Sequence, residues 1–175
     1  VAKIAGIELI KSFRKEYGRK WISLMPTNLY GPRDNFELQG SHVLPAFIRR
    51  FVEATESGRA KETLWGTGSP MREFLHADDL ASAVVLAGQK YDSVQHLNVG
   101  SGKDLTIKAL AELVAELAGF NGEIAWDSSK PDGTPRKVLD VSKVKSLGWE
   151  PTISLRDGIA STIEWYIDAT ARGVS

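Results

Sequence analysis

The sequence predicts an α/β fold. Short apolar runs that read as strands alternate with longer stretches of helical period, as "GEIAWD" does with "TIKALAELVAELAG". The helical stretches end in glycine, as at Gly18 and Gly119. Length and composition fit one good core or two small subdomains: 175 residues, 42% hydrophobic and 25% charged.

Each element follows from its local pattern. Ile7, Ile10, Phe13 and Tyr17 recur at helical spacing until Gly18. "KWISLMPTNLYG" predicts a strand over 21–25, with turns at Pro26 and at Gly31-Pro32, and a polar loop over 32–41. A helix follows with Pro45 in its first turn, where a missing N–H costs little, and with Leu44, Ile48, Phe51 and Val52 as its apolar stripe. "ETLWGTG" is a short strand ending in turn glycines. "REFLHADDLASAVVLAGQ" starts extended and becomes a helix capped near Asp78 or Asp79. "HLNVGSG" is a short strand that could lie beside the one at 21–25. Thr106 caps the next helix, whose stripe is Ile107, Leu110, Val114 and Leu117. "SKPDGTPRK" is a loop, and Ser154 with Asp157 forms an S-x-x-D box opening the last helix. "GTGS" and "GSG" lack the strand–turn–helix context of a dinucleotide fingerprint and read as turns.

Composition excludes several classes. Twenty-two basic and twenty-two acidic side chains leave no net charge, which argues against a nucleic-acid or membrane-surface protein. With no cysteine there is no disulfide, thiolate metal site or nucleophilic thiol in this chain. No run reaches transmembrane length, so a cytoplasmic protein is the default expectation. The missing initiator Met places the true N-terminus elsewhere. The first residues, "VAKIAG", form an uncapped helix start, apolar nearly all round, which should be covered by something outside the chain. Lys3 lies on the Ile7–Ile10 stripe, where a lysine is either a snorkelling side chain at a frayed end or a used one.

Several side chains could carry chemistry. His42 lies just ahead of the Pro45 helix, and Arg50 would follow two turns on, about 80° around the axis and opposite the apolar stripe. They read as a solvated basic face, or as a proton-transfer histidine beside a phosphate-binding arginine. Trp65 at a strand end is a core residue or a stacking platform. Arg72, in an irregular turn after "GSPM", is solvated or binds a phosphate or ribose. Lys130, Asp132, Arg136 and Lys137, in a loop restrained by Pro131, Gly133 and Pro135, serve the turn or hold a nucleoside diphosphate, with Asp132 accepting from a hydroxyl. His76, Asp78 and Asp79 invite a metal reading, but helix capping is favoured and no metal is expected.

Taken together, "AKIAG", "PTNLYGPRDN" and "REFLHADDLA" resemble the extended short-chain dehydrogenase/reductase family, which acts on nucleotide sugars. "AKIAG" looks like the end of its Tyr-x-x-x-Lys helix. "SHVLPAFIRRF", "WGTGSPMREFLH" and "SKPDGTPRK" extend the likeness to the branch that epimerises and reduces a GDP-4-keto-6-deoxyhexose. The resemblance runs from residue 1 to about 168 and covers the C-terminal half of such an enzyme.

The resemblance implies a fold: the end of an NADP-binding Rossmann domain over 1–31 and 74–102, and a small α/β nucleotide-sugar domain over 32–73 and 103–175. It also implies roles. Lys3 is the motif lysine, contacting the nicotinamide ribose, and its tyrosine would stand four residues earlier, ahead of Val1. Pro26, Thr27, Asn28 and Leu29 lie along the nicotinamide end of NADP. His42 is the acid in epimerisation. Arg50, Trp65, Arg72, Asp132 and Lys137 contact the GDP-sugar. A homodimer is implied for the intact enzyme. The chain alone is expected neither to hold NADPH tightly nor to turn over. A different nucleotide-sugar epimerase or dehydratase, or a non-catalytic nucleotide-sugar binding module, remains open at this stage.

Overall fold

In the computed structural model, which describes residues 1–37 and 40–173, three short sheets lie among six helices. The part of the 32–41 loop at Leu38 and Gln39 lies outside the described residues. Helix α1 (Ala2–Tyr17) starts without a side-chain cap, as expected, and stops at Gly18, whose φ of 63° suits only a glycine well and whose N–H donates to the Arg14 carbonyl. The burial expected of its Lys3 stripe is not met. No residue of α1 is buried. The helix is instead held by its C-terminal end: Phe13 stacks on Trp21 with centroids 5.0 Å apart, and Arg14 donates to the Trp21 carbonyl and pairs with Asp92.

Trp21 therefore packs on a helix rather than opening a strand. Strand β1 is Leu24–Pro26, shorter and later than 21–25, and β2 (Asn28–Tyr30) follows at once. Pro26 does not turn the chain. It ends the pairing of β1 with β5 (Leu97–Val99), the parallel pairing the sequence suggested. Lacking an N–H, it marks where the chain leaves one sheet for the next. Thr27 N donates the last bond to Val99, and β2 then pairs in parallel with β4 (Met71–His76).

β4 is the hub. Besides β2 it pairs antiparallel with β6 (Asp104–Thr106) and parallel with β8 (Arg136–Lys137), two short strands the sequence did not reveal. Arg72 thus sits in a strand, between Leu105 and Lys137, and not in an irregular turn. In the third sheet β3 (Lys61–Trp65) pairs in parallel with β7 (Glu123–Asp127).

Helices α2 (Val43–Glu56), α4 (Ile107–Leu117) and α6 (Leu155–Ala171) bury Leu44, Ile48, Phe51, Leu110, Val114 and Ile159 in one core. Helices α3 (Ala77–Lys90) and α5 (Ser142–Ser146) help close a second core around Leu97, Val99, Ala83, Ala87 and Val144. Thr106 and Ser154 cap as expected, accepting from Ala109 N and Asp157 N. The cap of α3 is different. β4 runs directly into the helix and puts His76 at the cap position, where its Nδ1 accepts from Asp78 N at 3.2 Å. Asp79 turns inward, buried, and accepts from Thr152 N, Thr152 Oγ1 and Ile153 N.

Glu73, fully buried on β4, binds three segments together. Its carboxylate accepts from Gly102 N at 2.7 Å and from Leu139 N at 2.9 Å. Its backbone carbonyl accepts from Thr27 Oγ1 and from Asn28 Nδ2 at 3.2 and 2.8 Å. A buried carboxylate is tolerable when N–H donors replace water. Gly100 is obligatory beside it, because a Cβ there would fall 2.2 Å from Glu73 Oε1. Next to this knot, Tyr30 is buried edge-on to His76. Burial first, and then the charges of Asp79 and Asp157, raise its phenol well above the ordinary value.

Two outcomes are expected. Glu73→Gln keeps the shape but sets an amide N–H against a backbone N–H, so stability should fall by about 1–3 kcal/mol. In urea the midpoint should drop with little change in slope. A phenol whose pKa is raised in the folded state stabilises the fold below its unfolded pKa and loses that contribution as pH rises. Stability should therefore decline above the ordinary tyrosine value of 10.0, and Tyr30→Phe should flatten the decline in alkaline melts.

Candidate functional site

Two neighbouring surfaces gather the candidate residues. The first is a cleft of about 530 Å³ where the end of β2, the Gly31–Arg33 turn, the start of α1 and the start of α2 meet. Lys3, Thr27, Asn28, Leu29 and His42 all line it. Lys3 is exposed and lines this cleft. Pro26 lies one residue behind the lining, in the β1 ladder. The side chains of Thr27 and Asn28 are held on the Glu73 carbonyl, so they shape the wall as much as they line it.

His42 is the N-cap residue of α2, yet its side chain makes no cap hydrogen bond. Its imidazole is thus left for the cleft. Arg33, which also lines the cleft, has φ of 68°, the one non-glycine in the left-handed region among the described residues. Such strain concentrates at binding sites. The "GPRD" sequence signalled a turn there but not a strained arginine.

The second surface lies at the ends of β3 and β7. Trp65 is 73% exposed, which removes the core reading and leaves a flat platform. Lys130 Nζ stands 5.8 Å from its ring centroid. Arg72 points toward Gly133, where an added Cβ would lie 3.1 Å from Arg72 Nη2, and Lys137 is its register partner on β8. Asp132 accepts from Thr67 N at 2.9 Å and from Thr67 Oγ1 at 2.6 Å. The Thr67 hydroxyl, and then its N–H, hold the Asp132 carboxyl below the usual range. So Asp132 serves the Gly66–Thr67 turn directly.

Arg50 is not the free, outward cation that its helix face suggested. It reaches β3, where Nε donates to Glu62 Oε1 and Nη2 to the Thr63 carbonyl, both at 2.6 Å. Glu62 is 4% exposed and is also bound by Arg59. Strand alternation could have revealed this: Glu62 shares the inward face of β3 with Leu64, so a buried carboxylate needing a cation was implicit. Thr67, Arg33 and Glu73 were likewise missed. Their signals are a threonine in a glycine turn, an arginine in a proline turn and an acid in a strand, none of which is distinctive.

His76 and Asp78 approach to 3.7 Å, but Asp79 faces the 152–153 segment, so the three do not form a metal centre. The first cleft offers ammonium donors from Lys3, a wall of extended backbone over 27–29 and the apolar side chain of Leu29.

Comparison with known proteins places the chain in a family. Residues 1–100 match the family described as "NAD dependent epimerase/dehydratase family". The chain is 56% identical over 168 residues to a probable GDP-L-fucose synthase 1 of Oryza sativa subsp. japonica, covering 96% of this chain and 51% of that protein. It is 49% identical to GDP-L-fucose synthase of Escherichia coli, covering 96% of this chain and 55% of that protein. A crystal structure of a GDP-6-OMe-4-keto-L-xylo-heptose reductase from C. jejuni superposes with a TM-score of 0.87 at 34% identity, over 95% of this chain and 59% of that one. The chain spans about half the length of the curated relatives it matches. With its mixed sheets and the cleft at the end of β2, the chain belongs to the NAD-dependent epimerase/dehydratase family.

Proposed function

We propose that the full protein is a GDP-L-fucose synthase. It epimerises GDP-4-keto-6-deoxy-D-mannose at C3 and C5 and reduces C4 with NADPH, giving GDP-L-fucose. The observation that carries this reading is the convergence of Lys3, residues 27–29 and His42, distant in sequence, on one cleft. The names of the relatives at 49–56% identity support it. In this reading 1–31 and 74–102 belong to the NADP-binding domain, and 32–73 and 103–175 to the nucleotide-sugar domain.

The chemistry follows from the side chains. A 4-keto group acidifies the C–H bonds at C3 and C5, and each inversion needs a base on one face and an acid on the other. His42, whose side chain has no capping duty, returns the proton. Lys3 orients the nicotinamide ribose, and its charge favours proton donation by a neighbouring acid. When bound, NADPH supplies the hydride for C4. Arg72 and Lys137 anchor the diphosphate, Trp65 stacks on the base, and Asp132 accepts from a hydroxyl with its remaining lone pairs. Arg50 contributes its residual charge from the Glu62 pair. Binding energy from the nucleotide holds the sugar through both stages. The same reading makes the protein a cytoplasmic homodimer with no nucleic-acid or membrane partner. Val1, Ile4 and Leu9 are exposed on α1 and offer an apolar contact face, and no helix among the described residues is long and apolar enough to cross a membrane.

Product analysis of the full protein with GDP-4-keto-6-deoxy-D-mannose and NADPH tests the activity, with GDP-L-fucose expected. Formation of only a 4-epimer of a UDP-sugar would sink it. His42→Asn should slow solvent deuterium incorporation at C3 and C5 by roughly 10²–10⁴-fold. Its GDP affinity should stay within about twofold, since the histidine sits apart from the Trp65 surface. Trp65→Ala should weaken GDP binding by roughly tenfold in calorimetric titration, the size expected for loss of one base–aromatic stack.

A further inference from the structure

The 128–135 segment is exposed at every residue, so apolar burial does not hold it. Its ends are fixed by backbone. Gly66 N donates to the Asp127 carbonyl at 3.0 Å, and Met71 N donates to the Pro135 carbonyl at 2.8 Å, next to the β8 pairing. Between these ends the segment carries Lys130, which stands over Trp65, and Gly133, which lies against the Arg72 guanidinium. Its middle is tied down from outside by Thr67, through the N–H and the hydroxyl, to the two oxygens of Asp132.

The turn that presents Thr67 is built for this approach. Gly66 has φ of 82°, and a Cβ on it would lie 2.4 Å from Asp132 Oδ1. Only a glycine there lets the carboxylate close onto the following N–H. Ser69 extends the contact, since its hydroxyl lies 2.8 Å from Thr67 Oγ1 and its N–H donates to that oxygen at 3.2 Å. Thr67 Oγ1 can donate to the carboxylate while accepting from Ser69, which fixes its rotamer.

We propose that Thr67 is a positioning residue of the nucleotide site: by latching Asp132 it holds the 128–135 strap so that Lys130 and Arg72 present their charge beside Trp65 to a nucleoside diphosphate. The ligand class rests on the function proposed above, whereas the latch does not. Thr67 is exposed, but its hydroxyl is engaged by Asp132 and Ser69, so it acts through Asp132. A strap already in place spares the ligand the ordering cost of an exposed loop that carries the long cationic side chain of Lys130.

The test compares Thr67→Val and Thr67→Ser in the full protein by hydrogen exchange at the amides of residues 66, 67 and 71, whose N–H groups donate to the strap, without ligand, and by titration with GDP and with guanosine. Thr67→Val removes the hydroxyl and keeps the branched shape; Thr67→Ala gives the same comparison should the valine variant fail to fold. Exchange at these amides is expected to rise roughly tenfold, as for loss of one charge-assisted hydrogen bond. GDP should bind about fivefold more weakly and guanosine within about twofold of the unsubstituted protein, because the charges of Lys130 and Arg72 act on the diphosphate. Thr67→Ser should restore both. Unchanged exchange in Thr67→Val overturns the latch. Equal losses for GDP and guanosine overturn the positioning role, since a mere shift of the Trp65 turn would weaken both. If the unsubstituted protein binds no GDP, the nucleotide reading and the positioning role fall together, while the exchange comparison still decides the latch.

Discussion

The buried carboxylate of Glu73 is the constraint on which the arrangement rests. It sits in the middle of β4, the strand that pairs with β2, β6 and β8, and it replaces lost water with the N–H groups of Gly102 and Leu139. Its own carbonyl takes the side chains of Thr27 and Asn28. One residue thus fixes the crossing from β1 to β2, the turn after β5 and the approach to α5. The wall of the Lys3–His42 cleft is the outer side of that same crossing. An ionised group with fixed donors tolerates little displacement, which gives the cleft a rigid floor without requiring a large core beneath it.

A second buried acid shows the opposite economy. Glu62 faces inward on β3 and engages Arg50 and Arg59 together. A buried ion pair of this kind contributes little net stability, because desolvation offsets the attraction, but removal of one partner is costly. Its effect is on availability: the Arg50 charge is partly neutralised before any ligand arrives. The other cations on this side are Lys130 over Trp65, Arg72 beside Gly133, and Lys137 in register with Arg72.

The sequence disclosed what is local. Thr106 and Ser154 cap, Gly18 stops α1 and the stripe of α4 is buried, because each depends on a few neighbouring residues. The pairing of β1 with β5 was legible from strand character alone, whereas β6 and β8 were not: strands of three and two residues carry no periodic signal and exist because β4 offers them a partner. The α3 cap was misread because aspartate is the commoner capping residue, and only the continuation of β4 puts His76 in that place. Lys3 and His42 could be picked out by motif, yet their meeting in one cleft is a tertiary fact. Arg50 was read as a solvated cation or a phosphate binder, and neither reading foresaw that a side chain that long can turn back to a strand.

The anchoring of α1 has a mechanical consequence. The helix is fastened near Phe13 and Arg14, while Lys3 stands at the other end of a nearly unsupported rod. From Lys3 to Phe13 the lever is about 15 Å long at 1.5 Å per residue, so a tilt of about 5° at the fastening swings its free end by about 1.3 Å. Hydrogen bonding tolerates only a few tenths of an ångström. A lever of this length turns a small angular error into the loss of a contact, and the bare Val1, Ile4 and Leu9 side of the helix is where a brace would have to bear. The reach of the lysine into the cleft is therefore only as steady as the fastening at Phe13 and Arg14.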